Sequence, residues 1–580
     1  MTWRPASWWS AVAAVVLLHS ALALGYAFIT PAFEAPDENG HYYYASFVAQ
    51  RGEQPTVMGW HRQSGGSPFD EADLGHHPPL YYGLLALALR ALDLVDSLPS
   101  PRPSGSRTGA LHWQHGYDER IGPSHEIRCL RVLRGISVLC GAFSILLVIA
   151  TARVLWPGQD ARAVLAGLTL ACIPQWSHAH GSLDNGNLAT TLACLTTYLL
   201  ARTLDRREIR WRDGILLGLT FALGLWTKAN ALALGPPIVV VIAVLCRIDG
   251  RWRRQPLVAG GLALLIAALA YTPLLVRNLS RYGDPLGQSA HAAAFAQSRV
   301  PDGELWAWLT HGFPYGLFRS FVGMFGWWRV GVSDAWLGVA LLLVVLAAIG
   351  AVGRSRAKPT GAVRGRALLL WTLGAATFAF VLRYNLTFAQ PQGRYLFPAA
   401  AAIAIGLSVG WSRLAQRLRS ERIILGGLAA ALVVGATVTL TFLVRPAFTL
   451  PPVTNTPHEA ILFGGLTRAG TDTTDAVTLI EPADGEVRAT SPTFRWKLAP
   501  GASPHSLRIW RDDGRLLGAT YEMLRLDLSH GEFTLPDELW SAVAPGSALH
   551  WNIAEVCDRS RAGDARRFRA TATRTLVRQR

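Results

Sequence analysis

Eleven long apolar runs recur along this 580-residue sequence: Trp8 to Ile29, Leu130 to Leu155, Ala163 to Ala179, Leu188 to Ala201, Gly214 to Trp226, Ala231 to Cys246, Leu257 to Val276, Ala335 to Gly353, Ala367 to Leu382, Leu396 to Trp411 and Ile423 to Val444. A helix crosses a bilayer with about 20 apolar residues, and no soluble core needs so many such segments. Composition agrees, with 51% hydrophobic residues, 16% charged residues and a mean hydropathy of +0.24, a balance that would leave a soluble chain of this size poorly solvated. The runs therefore predict a polytopic α-helical membrane protein of about 11 spans. The first run lacks a charged cluster before it and is followed by many others, so it reads as a retained span rather than a signal peptide. The fifth and sixth runs are short, and a single segment bending at Pro236 and Pro237 is the alternative there.

The net charge of +16 does not imply nucleic acid, because Lys and Arg fall in short clusters between apolar runs instead of along one aromatic-interleaved stripe. Those clusters set the topology, and the segment Leu80 to Val95 decides it. If that segment does not cross, one side collects twenty basic residues, among them Arg206, Arg210, Arg253, Arg366 and Arg417, while the short loops opposite hold only Lys228, Arg383 and Arg394. The positive-inside rule then puts the basic face in the cytoplasm and Leu80 to Val95 along the outer interface. Residues 30–128 and 277–334 become long external loops of a membrane domain spanning residues 1–450, in a plasma (inner) membrane. Trp306, Trp308, Tyr315, Trp327 and Trp328 in the second loop suit an interfacial aromatic belt. Ser97 to Gly109, rich in Pro, Ser and Gly, reads as a flexible loop.

From about Thr454 the pattern changes to short alternating strands with Asp-Gly turns, such as AVTLIEPADGEV, TFRWKL and ALHWNIAEV. Period-two alternation predicts a β-sandwich over residues 454–580, extracytoplasmic by the same topology, with Trp496 and Trp551 as core anchors. It resembles a fibronectin type III-like module in pattern only. Five of the six cysteines lie in or beside apolar runs and Cys557 stands alone, with neither metal spacing nor a disulfide framework.

Chemistry concentrates just beyond the first run, where Glu34, Asp37, Glu38 and His41 crowd at the membrane boundary. Pro36-Asp37 can simply start and cap a helix, with Glu38 favoured in its first turn. Capping does not account for Glu34, nor for His41 one turn from Asp37. Carboxylates so near hydrocarbon are costly unless solvated or used, and repulsion among them suits a general base. Asp37 and Glu38 can also hold a divalent cation with help from a substrate phosphate, the one cofactor the residues suggest. Later outer turns add His77 in HHPPLYY, Asp184 in GSLDNGN, Lys228, Arg277, and Gln392 with Arg394. Each can be a helix start or a snorkelling cation, so the inference lies in their convergence on one face.

These motifs, PDE at residues 36–38, HPPLYY at 77–82, SLDNGNL at 182–188, LWTKAN at 225–230, RNLSRYGDP at 277–285 and QGRYLFP at 392–398, together resemble the GT-C superfamily of glycosyltransferases. That group includes protein O-mannosyltransferases and the bacterial aminoarabinose transferases. PDExxH with GRYLFP is closer still to a related bacterial multi-spanning family without assigned chemistry. The resemblance implies transfer of a sugar, usually with inversion, from a polyprenyl-phosphate donor to an envelope glycan, lipid or protein at the external face. It implies Asp37 as general base, Glu38 as its acidic neighbour, Asp184 as a second external acid, and Lys228 and Arg394 as cations for the donor phosphate. Glu34, His41, His77, Arg277 and Gln392 are the remaining substrate-binding candidates. Asn39 and Gly40 depart from the pattern, and Gly40 loosens the helix start. A transporter or flippase of lipid-linked saccharides would share the polar mouth, but no ion-coupling path is visible in the runs. A membrane-anchored binding protein would leave the clustered acids unexplained.

Overall fold

A computed structural model describes residues 5–57, 71–72, 74–95, 125–247, 252–352, 361–449, 456–457, 477–498, 505–512, 515–519, 531–535, 537–541, 543–556 and 568–579. Ser97 to Gly109 and Cys557 lie outside them. The protein is a multi-pass, mostly helical membrane protein with a β-rich C-terminal region. It divides into two compact units, Met1–Leu98 with Cys129–Phe448, and Pro99–Arg128 with Thr449–Arg580.

Among the described residues the eleven apolar runs are helical, apart from a break at Cys172 and Ile173. Among the described residues, eight helices are long and apolar enough to cross a membrane: Ala6–Ile29, Ile127–Leu155, Ala229–Cys246, Gln255–Tyr282, Asp334–Val352, Val363–Asn385, Gly393–Arg417 and Glu421–Ala447. The other three runs depart from that standard for separate reasons. Ala163 to Ala179 breaks into Asp160–Ala171 and Pro174–His180, because Pro174 forces Ile173 out of the helical region. Asn185–Arg206 carries Asn185, Asn187 and several threonines, and Trp211–Thr227 has only 17 residues. Thr227 and Gly235 bracket an extended Lys228 and a 3-10 turn, Ala229–Leu234, so the fifth and sixth runs are two helices rather than one bent segment. Leu80–Ala91 has 12 residues and at 1.5 Å per residue reaches only about 18 Å, short of a crossing.

Small residues let some of these helices meet backbone to backbone. A Cβ added to Gly410 would run into the Ala347 carbonyl oxygen, and one added to Gly350 into the Gly410 carbonyl oxygen. Trp411 Nε1 donates to Leu343 O at 2.8 Å and Arg417 to Gly350 O at 3.1 Å across the same seam. Gly410→Val is therefore expected to lower stability by about 1–3 kcal/mol through overpacking, read as a fall in the thermal midpoint of detergent-purified protein. An unchanged midpoint would mean that this close crossing does not exist.

In the second unit, Val477–Glu481, Thr493–Leu498 and Glu532–Thr534 form a three-stranded antiparallel sheet. A larger sheet is centred on His505–Arg511 and Ala548–Val556, paired antiparallel from Leu549 opposite Arg511 to Glu555 opposite His505. Alternate residues of both sheets enter one core: Phe494 and Trp496 from the first, Leu507, Ile509, Trp551 and Ile553 from the second. The rings of Phe494 and Trp551 meet edge to face at 5.1 Å. The turn after Glu481 needs Gly485, whose φ of 77° is left-handed.

Candidate active site

Asp37 stands immediately before the helix Glu38–Arg51 with φ 66° and makes no side-chain capping bond. The capping expected from Pro36-Asp37 does not occur. A non-glycine residue in that region costs about 1–2 kcal/mol, least for Asp and Asn, so something must hold it there. The holder is Arg394, whose guanidinium NH2 donates to Asp37 Oδ2 while NH1 donates to Pro36 O at 3.3 Å. A charge-assisted bond of this kind outweighs a neutral cap.

Arg394 reaches that position from the 3-10 turn Gly393–Ala399, whose first amide donates to Ser320 Oγ at 2.8 Å. Each of its three nitrogens donates. NH1 donates to Asp184 Oδ2 at 2.8 Å and Nε to Gln392 Oε1 at 2.6 Å. Asp184 caps Asn185–Arg206 through the Gly186 amide at 2.6 Å, and it also accepts from Lys228 Nζ at 3.1 Å. His41 Nε2 lies 3.8 Å from Asp184 Oδ1. Residues separated by up to 357 positions in the chain thus share one ion-pair network of two acids and two cations. The two acids differ in access, because the Asp37 side chain is 34% exposed and that of Asp184 is 5% exposed. Burial alone would raise the pKa of Asp184, but Lys228 and Arg394 together hold it well below the usual carboxylate value.

Glu38 and Glu34 turn elsewhere. Glu38 is fully buried, paired to Arg134 at 2.5 Å and accepting from the amides of Phe33 and Leu183 at 3.0 Å. Arg134 also donates to the carbonyls of Ala27 at 2.6 Å, Thr30 at 2.7 Å and Pro31 at 3.1 Å, closing the end of the first helix. Glu34 is likewise fully buried. Asp37 and Glu38 therefore face different partners, and among the described residues no group of three or more His, Cys, Asp or Glu is arranged to hold a metal ion. Sequence reasoning overlooked Arg134, although a cation one turn inside the second apolar run was its signal.

Asp37 and Arg394 open onto a cavity of about 380 Å³ that is also lined by His41, His77, Lys228 and Arg277, whereas Gln392, Glu34 and Glu38 do not line it. The walls add residues absent from the sequence-based candidates: His76, Asn230, His291, Arg383, Tyr384 and Tyr395. His77 Nδ1 is 2.5 Å from Asn185 Nδ2 and His41 Nδ1 is 2.9 Å from the Tyr82 hydroxyl. Leu232, Leu274 and Phe380 add apolar side chains to the lining.

Burial lowers the pKa of His41 to about 4, with Lys228 acting in the same direction and Asp184 against it, and burial alone lowers His291 to about 4. These imidazoles are neutral at pH 7. Unfolded histidines take protons near 6.5, so between pH 6.5 and about 4 the unfolded chain binds more protons than the folded one. Stability contributed by the neutral rings is present above pH 6.5 and drains away as the pH falls toward 4. A thermal midpoint that stays level over that interval would contradict this.

The fold and this site define a class: a multi-pass helical membrane protein with an acid and cation network beside a cavity lined by both polar and apolar side chains. Residues 129–276 match the sequence model of the dolichyl-phosphate-mannose-protein mannosyltransferase family, and the resemblance to GT-C superfamily glycosyltransferases seen in the motifs is borne out by that match. Among solved structures the chain is similar to ArnT from Cupriavidus metallidurans bound to undecaprenyl phosphate, with 15% identity, TM-score 0.43, and coverage of 77% of this chain and 74% of that one. The same protein in its apo state aligns with 16% identity, TM-score 0.41, and coverage of 76% and 74%. Arabinosyltransferase EmbB from Mycobacterium smegmatis gives 14% identity and TM-score 0.34 over 96% of this chain and 55% of that one. No curated protein matches the sequence.

Proposed function

We propose that the protein is an inverting membrane glycosyltransferase that moves a sugar from a polyprenyl-phosphate donor to an acceptor in the cell envelope. The observation that carries this reading is the junction of a reachable acid, Asp37, with Arg394 and Lys228 at a cavity whose lining also carries apolar side chains. A lipid phosphate needs that combination, and it needs no nucleotide-binding fold. The membrane is a plasma (inner) membrane with the site on the external side, following the charge bias of the loops. The membrane domain runs over residues 1–450 and the sandwich over 454–580, on the external side by the same charge bias.

In this mechanism the donor phosphodiester, carrying one negative charge, docks against Arg394, Lys228 and Arg277. It draws Arg394 partly away from Asp37. Asp37 then accepts the proton of an acceptor hydroxyl as its oxygen attacks the anomeric carbon. The bond from that carbon to the phosphate oxygen breaks, and polyprenyl phosphate leaves with one more negative charge than the donor had. Cations gathered at that oxygen stabilise the departing group more than the bound donor, which is the condition for acceleration. Asp184 keeps Lys228 and Arg394 aimed, and Glu38 with Arg134 anchors the loop that carries Asp37.

The test is incubation of purified protein with radiolabelled polyprenyl-phosphate sugars and cell-envelope extract. Label should pass into an envelope acceptor. Movement of the intact lipid-linked sugar across a vesicle membrane without new glycoside would instead make the protein a flippase.

A further inference from the structure

Beside the cations, part of the cavity wall is aromatic and has a different chemistry. Around His291 stand the rings of His76 at 4.5 Å, Phe295 at 4.7 Å, Phe388 at 5.2 Å and Tyr384 at 6.0 Å, measured between centroids. His291 Nε2 is 3.3 Å from the Tyr384 hydroxyl. Three buried polar atoms of the cavity wall have no hydrogen-bond partner among the described residues: His76 Nδ1, His291 Nδ1 and Asn230 Oδ1. A buried polar atom left unpaired is unfavourable, and here three belong to residues that line one cavity.

We infer that this recess, formed by His76, Asn230, His291, Phe295, Tyr384 and Phe388, is the sugar subsite, and that it takes a neutral hydroxylated sugar rather than an amino sugar or a uronic acid. The inference rests on the glycosyltransferase reading above. A sugar ring presents carbon-bound hydrogens on its faces and hydroxyls around its rim, which suits flat aromatic walls bearing separated acceptors. Charge then selects among sugars. Among the described residues one acid, Asp37, lines the cavity against four cations, Lys228, Arg277, Arg383 and Arg394. Asp37 and Asp184 offset two of those positive charges through Arg394 and Lys228, which leaves a net charge of two to match a departing phosphate monoester. A protonated amino group would face that net positive charge, and the cavity-lining carboxylate, Asp37, is taken as the base. A uronate would add a negative charge for which no net positive charge remains beside the phosphate monoester.

The experiment measures binding, by competition, to the full-length protein in lipid nanodiscs. The probes are polyprenyl phosphate alone and polyprenyl phosphate bearing a neutral hexose or pentose, an amino-deoxy pentose, or a hexuronic acid. The neutral sugar should tighten binding over bare lipid phosphate, and His291→Ala should remove about tenfold or more of the affinity for that donor while leaving bare polyprenyl phosphate unchanged. His76→Gln, closer in shape, should act in the same direction. Equal loss for bare lipid phosphate in both variants would make the recess mere packing and overturn the assignment. So would amino-sugar or uronyl donors binding as tightly as neutral ones. Because binding needs no turnover, a wild-type protein that shows the sugar-dependent affinity but transfers nothing would refute the enzyme while leaving the subsite in place.

Discussion

Asp37→Asn should fold normally and lose transfer activity by about 10²–10⁴-fold in kcat, the range for removal of a positioned general base. The amide keeps an oxygen for Arg394 to bond, so the Arg394 contacts to Asp184, Gln392 and Pro36 persist. What disappears is the capacity to accept a proton. The substitution also removes a carboxylate that competes with the donor phosphate for Arg394, so donor affinity should hold or improve while turnover collapses. Single-turnover assay beside a donor-binding measurement separates the two. Retained turnover would remove Asp37 as the base, and a matching loss of donor affinity would assign it to binding instead.

The second large effect belongs to Arg134→Met. This change strands the fully buried Glu38 carboxylate and withdraws the donor shared by the carbonyls of Ala27, Thr30 and Pro31. Breaking a buried pair from one side typically costs about 3–5 kcal/mol, because the remaining charge is left without a partner. The thermal midpoint in detergent should fall further than for Gly410→Val. Adding Glu38→Gln to Arg134→Met should restore part of the loss, since the stranded charge is then gone. If Arg134→Met alone leaves the midpoint untouched, Glu38 is not the buried anchor that its hydrogen bonds describe.

The two effects divide a motif that reads as a single unit in the chain. Asp37 and Glu38 are adjacent acids, equally eligible from their sequence for catalysis, capping or metal binding. Arg394 and Arg134 claim them separately, one at the cavity and one inside the scaffold. The split follows from the left-handed backbone at Asp37, which nothing in Pro-Asp-Glu announces. Asp184 was readable both as a cap and as a site acid, and it is placed to do both, since its two carboxylate oxygens serve the Gly186 amide, Lys228 and Arg394. The recess around His291 was not readable at all. His291, Tyr384 and Phe388 sit in stretches without a motif, and only the packing of distant segments brings them to His76.

What the amino-acid order determined alone was the helical membrane architecture, the alternating β region with Trp496 and Trp551 at its centre, and the kinds of residue available at the outer turns. Those follow from hydropathy, length and period, which act over neighbouring residues. Which acid meets which cation was decided by tertiary structure, because partners such as Glu38 with Arg134 and Asp37 with Arg394 lie 96 and 357 positions apart. Pairings at that range depend on how helices cross and on where a buried charge finds its counter-charge, and local patterning carries neither.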